Sequence, residues 1–185
     1  SKSYAKINLT LDVLGRMENG YHEIETVMQT TGLFDLVITD VTNGEISITT
    51  NVKFLPTNEK NIAYKAAKVF FEHTGIKKGA KIFIHKNIPV SAGLAGGSGN
   101  AAAVLAALNM LFAKPLADDE LLKLGARLGA DVPFCLMGGT VLCGGIGDVL
   151  TPLKSFPKRH ILLVKPPVGI STADIYERID AEPKY

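Results

Sequence analysis

Ten residues near the start of the chain, Tyr4 to Val13, alternate strictly. Tyr4, Lys6, Asn8, Thr10 and Asp12 fall on one side; Ala5, Ile7, Leu9, Leu11 and Val13 fall on the other. This is the period of a half-buried strand, and such a strand needs partners. They follow at once. Glu18-Asn19-Gly20 predicts a turn, and Tyr21 to Thr30 reads as extended. Runs at Asp35–Val41 and Glu45–Thr50 flank Asn43-Gly44, a hairpin signal. The chain therefore opens as an antiparallel sheet.

Helical patterns come later. The spacing of Ile62, Ala66, Val69 and Phe70 predicts a helix over 62–73, capped by Asn61 and ended by Gly75. A strand at Lys81–His85 precedes a glycine-rich loop, then helices near 98–112 and 119–128. Strand-like runs follow at Thr140–Cys143 and Ile161–Val164, and a last helix near Ser171. Strands first and helices after, without regular alternation, indicate an α+β fold. Lys154–His160, with Pro157 and three basic residues, reads as a boundary between a domain over 1–154 and a short remainder over 155–185.

Composition narrows the function. A net charge of +2 gives no broad basic surface for nucleic acid or an anionic membrane. The apolar stretch Ala101–Ala113, interrupted by Asn109, is shorter than the ~18 residues of a membrane span. The N-terminus has no apolar leader segment. Cys135 and Cys143 lack metal spacing and read as small core residues in a reducing compartment, so a cytoplasmic protein is expected.

The segment Pro89–Ala103 reads PVSAGLAGGSGNAAA. Its glycines let several backbone N–H groups approach one anion, and the helix behind adds its positive end. A loop that only permits close packing would use the same residues. The Walker pattern is excluded, because no lysine follows the last glycine. Gly97 to Ala102 fits G-x-G-x-x-A, but no strand directly precedes it, and Asp118 and Asp119 open another helix.

This loop resembles the phosphate-binding motif of the GHMP superfamily of small-molecule kinases. It is most similar to members of isoprenoid precursor synthesis whose substrate carries a cytidine diphosphate. AKINLTLDVLGRMENGYHE, LGADVPFCLMGGTVLCGGIGD and PPVGISTADIY match the same family in order, so the resemblance runs from Ala5 to Tyr176. It implies the family's ATP-binding domain, with a fold like ribosomal protein S5 domain 2, followed by the first strand and helix of a ferredoxin-like domain. The apolar surface of that remainder would call for further chain or a second copy, as in a homodimer. ATP and magnesium are the implied cofactors, with no acidic magnesium ligand nameable.

The resemblance also implies roles. Lys6 and Asp131 would be catalytic: Asp131 as general base, Lys6 beside it and the acceptor hydroxyl. Read from the residues alone, Lys6 fits a solvated strand face and Asp131 a helix cap. Asn8, Tyr21, His22, Thr172 and Tyr176 would bind substrate, with the base between Tyr21 and Tyr176. A plain hairpin tip accounts for Tyr21-His22 equally well, and a helix cap for Thr172. Pro89, Gly93, Leu94, Ala95, Gly96, Gly97, Ser98, Gly99 and Asn100 would hold ATP, with Asn61 and Lys86 beside adenine. Asn61 is an equally good helix cap. The pattern departs from the family at Gly99, where a second Ser or Thr is usual, and so loses a hydroxyl near the phosphates. Kinases of homoserine, mevalonate or sugars are the enzymatic alternatives. Ribosomal and translation-factor domains share the fold without catalysis, and low net charge and the Lys6/Asp131 pair argue against that class.

Overall fold

The computed structural model describes residues 1–166 and 172–181. Three strands open the chain: β1 (Lys2–Arg16), β2 (His22–Thr42) and β3 (Ser47–Thr50). Then come α1 (Ile62–Thr74), β4 (Gly79–His85), α2 (Gly96–Leu111), α3 (Asp118–Ala126) and α4 (Asp131–Met137). β5 (Thr140–Gly144), β6 (Val149–Pro152) and α5 (Thr172–Ala181) follow. The architecture is α+β, as the order of patterns implies.

The two extended runs expected at 21–30 and 35–41 are one strand, β2, which organises the sheet. It pairs antiparallel with β1 along most of its length, with β4 over Leu36–Thr42 and with β5 over Thr26–Gln29. The tight turn before it forms as expected: Gly20 takes φ 84°, and its N–H donates to the Met17 carbonyl at 3.0 Å. The second hairpin does not. β3 lies parallel to β4 rather than against β2, because β4 already occupies that stretch of β2. The strand expected at Ile161–Val164 is also absent. Residues 153–166 carry no regular structure, and Leu162 and Val164 are exposed. A strand needs a ladder, and no described residue supplies one there.

The sheet buries one face. Val37, Ile82 and Ile84 turn inward, while Leu36 and Ile38 on β2 face out. Helix α2 runs across the covered side, packing on α1, α3 and α4 and on strands β1 and β2. Its alanines (Ala101, Ala102, Ala103) allow that close approach. Asn109, a polar residue near the end of this helix, is buried; its amide exchanges two hydrogen bonds with the Leu116 backbone and so fixes the turn into α3. Met28, Phe134, Val141 and Cys143 form a smaller cluster under α4.

The alternation of β1 is broken by irregularities between Tyr4 and Lys6 and between Asn8 and Thr10. The phase slips, so Ala5 and Lys6 are both buried, while Leu9 and Leu11 of the expected apolar side are exposed. That slip turns the Lys6 ammonium toward the helices.

Candidate active site

An open cleft of ≈ 1070 Å³ lies between the β1–β2 ribbon, the glycine loop and the start of α4. Its floor is the N-terminus of α2. The helix begins at Gly96, two residues before the expected Ser98, so Gly96, Gly97 and Ser98 form its first turn. N–H groups there have no carbonyl one turn back and carry the positive end of the helix dipole. The loop before the helix holds Ser91, Gly93 and Ala95 at positive φ, two of them not glycine. Its Leu94 carbonyl accepts from the Lys6 backbone N–H at 3.1 Å, which straps the loop to β1.

Lys6 and Asp131 meet at the cleft wall. The ammonium lies 3.9 Å from Asp131 Oδ1, an ion pair too long for a hydrogen bond. Lys6 instead donates to Asn8 Oδ1 at 2.8 Å, Asn8 donates to Thr26 Oγ1 at 2.6 Å, and Thr26 donates to the Thr10 carbonyl. The chain of bonds fixes the ammonium and leaves a gap beside the carboxylate. Asp131 does not cap α4. It is the first helical residue, Ala130 holds the cap position, and no side-chain cap bond forms there. Its side chain is partly exposed and turns to Lys6.

Behind the loop is a polar cluster. Asp35 is fully buried; Oδ1 accepts from the Asn87 and Ile88 backbone N–H groups at 2.7 and 2.8 Å. Its Oδ2 accepts from Lys86 Nζ and, at 2.9 Å, from Asn100 Nδ2. Asn100 also donates to Ser3 Oγ and accepts from Lys86. Lys86 therefore lines the cleft with its ammonium held beneath the loop. Gly99 is buried inside α2 rather than in the cleft. A Cβ there would sit 2.6 Å from Ser3 Oγ and 3.3 Å from the Tyr4 carbonyl. The space a side chain at 99 would need is thus taken by the Ser3 hydroxyl.

At the far end the aromatic arrangement differs from a sandwich between Tyr21 and Tyr176. Tyr176 stacks on His22, with ring centroids 4.5 Å apart and planes at 11°. His22 Nε2 lies 2.7 Å from Asp180 Oδ1, and Arg16 reaches Asp180 Oδ2 at 3.2 Å. These contacts hold α5 to the hairpin and draw Tyr176 onto the imidazole. Burial first, and then the Asp131 carboxylate, push the Tyr176 hydroxyl above its ordinary range. Tyr21 is 61% exposed at the hairpin tip.

Most of the residues singled out from sequence line this one cleft: Lys6, Asn8, Tyr21, His22, Asn61, Lys86, Pro89, Gly93 to Ser98, Asn100, Asp131 and Tyr176. Asn61 also caps α1, accepting from Ala63 N–H at 3.0 Å and donating to the Pro56 carbonyl. The side chain of Thr172 lies outside the described residues. Sequence reasoning missed Asp35, Ser3, Thr26, Arg16 and Asp180. Among the described residues no three His, Cys, Asp or Glu side chains cluster as a metal site. No described helix is long and apolar enough to cross a membrane.

Residues 61–139 match the family described as GHMP kinases N terminal domain. The chain is 56% identical over 180 residues to 4-diphosphocytidyl-2-C-methyl-D-erythritol kinase of Caldicellulosiruptor saccharolyticus, covering 97% of itself and 62% of that relative. It is 51% identical over 179 residues to the Clostridium beijerinckii protein of that name, covering 64% of it. It thus spans less than two thirds of the length of these relatives. A crystal structure of 4-(cytidine 5'-diphospho)-2C-methyl-D-erythritol kinase superposes with TM-score 0.70 at 37% identity, over 83% of this chain and 54% of that one. Methanococcus jannaschii mevalonate kinase shares the fold, with TM-score 0.63 at 19% identity over 84% of this chain and 55% of that one.

Proposed function

The chain carries a GHMP kinase N-terminal domain, and from that premise we propose that it transfers the γ-phosphoryl of ATP to the 2-hydroxyl of 4-diphosphocytidyl-2-C-methyl-D-erythritol, a step of isoprenoid precursor synthesis. One observation carries the reading: the Lys6 ammonium and the Asp131 carboxylate stand 3.9 Å apart in the same cleft as the N-terminus of α2.

Phosphoryl transfer asks for little covalent chemistry. It needs the acceptor oxygen in line with the γ-phosphorus, charge stabilisation at the phosphates, and somewhere for the hydroxyl proton. The amides of Gly96, Gly97 and Ser98 and the dipole of α2 offer the charge stabilisation. A hydroxyl entering beside Lys6 and Asp131 donates its proton to the Asp131 carboxylate as its oxygen bonds to the γ-phosphorus and the bond to the β-phosphate oxygen breaks. Lys6, held by Asn8, faces the negative charge that develops. Magnesium would arrive on the ATP phosphates and spread their charge. Asp131 is a carboxylate of the cleft lining with a partly exposed side chain, and the phosphates themselves would offer the oxygen ligands this ion favours.

The cytidine end supports the substrate class. Tyr21 offers an exposed ring for a base, and His22 and Tyr176 a second aromatic surface beside it. Homoserine and mevalonate have no base to stack. The test is calorimetric titration with 4-diphosphocytidyl-2-C-methyl-D-erythritol, homoserine and mevalonate. Selective binding of the cytidine ligand is expected. Preference for either other ligand would assign a different kinase of the same fold.

A further inference from the structure

Asp35 is an expensive residue to place where it is. A fully buried carboxylate loses its hydration, and an apolar side chain of similar volume would often serve the fold as well. Its partners show a pattern. Asn87 and Ile88 directly precede Pro89, where the glycine loop begins. Asn100 directly follows Gly99, where the loop has passed into α2. Lys86 bridges the two sets by donating to both Asp35 and Asn100. One carboxylate on β2 therefore grips both ends of segment 89–99.

The segment needs gripping. Ser91 and Ala95 take positive φ without being glycine, a conformation that persists only where the surroundings over-determine it. Strand β1 adds a second support: Ser3 pairs with Asp35 across the β1–β2 ladder and accepts from Asn100 at 3.1 Å. We infer that Asp35 is a positioning residue for the nucleotide: it never touches ATP, but sets the spacing between the loop and the first amides of α2, and with it the affinity for the ATP phosphates. The inference rests on the kinase reading above.

The experiment uses the full-length protein and calorimetric titration of ATP, with 4-diphosphocytidyl-2-C-methyl-D-erythritol as the control ligand. Asp35→Asn keeps the shape of the side chain but turns an amide N–H2 toward two donors. It is expected to weaken ATP binding about tenfold or more, as loss of hydrogen bonds to a charged group does, with the control ligand within about twofold. Ser3→Ala removes one acceptor of Asn100 and is expected to weaken ATP binding about threefold. A lower melting temperature with both affinities unchanged would mean a role in the core only, and would overturn the inference. If Asp35→Asn fails to fold, Ser3→Ala decides, and ATP affinity equal to wild type overturns it. Failure of the wild-type protein to bind ATP would bring down the kinase reading and this one with it. Normal ATP binding by wild type and both variants would bring down this one alone.

Discussion

The two ends of the cleft are built differently. At the end proposed to hold the phosphates, here the phosphate end, the side chains that set the geometry are buried and partnered: Asp35, Asn100, Ser3 and Lys6 are each less than a tenth exposed. At the end proposed to hold the base, here the base end, Tyr21 stands in solvent, and α5 is held by Asp180 to His22 and to an Arg16 side chain that is 62% exposed. Chemistry gains from donors fixed in advance, because no reorganisation is then needed as charge develops. Recognition of a flat base tolerates looser surface contacts, each worth little by itself. A change at the phosphate end should therefore disturb fold and nucleotide together. A change at the base end should disturb one ligand only.

The largest separation is expected from Gly99→Ser. Its Cβ would press on Ser3 Oγ and the Tyr4 carbonyl, and overpacking of this kind costs about 2 kcal/mol. Chemical denaturation should show that loss together with weaker ATP binding, and Ser3→Ala in the same chain should restore part of both. Full stability with a serine at 99 would show that the phosphate end is not tightly packed. Tyr21→Ala comes next. Loss of one stacking surface should weaken the cytidine ligand by about 1–2 kcal/mol in titration while ATP affinity and melting temperature hold. Asp180→Asn should change stability by no more than ~1 kcal/mol, since Asp180 itself is about a third exposed and Arg16 mostly exposed, with only His22 buried. A larger loss would mean that α5 belongs to the rigid half of the comparison.

The smallest effect concerns Cys135, under the phosphate end. Burial, with a lesser push from Asp131 against a pull from Lys6, raises its thiol from the ordinary 9.0 to about 12. The thiol form is thus favoured in the folded state, and the stability it contributes is full below pH 9 and is lost as pH rises toward 12. Iodoacetamide at pH 8 should leave it unmodified in the folded protein, because the thiolate is the nucleophile. Rapid alkylation there would show that the phosphate end opens.

How much of this was legible in the sequence follows the same division. The α+β order, the Asn61 cap and the glycine loop were legible because each is a local pattern. Lys6 and Asp131 became candidates only through resemblance, since periodicity alone placed Lys6 on a solvated face. The slip in β1 that buries Lys6 depends on its register with β2. Asp35 carried no signal, because its depth is set by β4 and α2, both far along the chain. Helix α4 was legible only through the reading of Asp131 as a helix cap, because it is seven residues long with Pro133 in its first turn. The strand expected at Ile161–Val164 had the composition of a strand and no ladder to join.

The most direct test is Asp131→Asn in the full-length protein, with ADP formation and the affinities for both ligands measured on the same sample. The account predicts turnover about 10²–10⁴ times slower with both affinities within about threefold, as loss of a general base gives. Turnover within tenfold of wild type would contradict it, and would remove Asp131 from the chemistry.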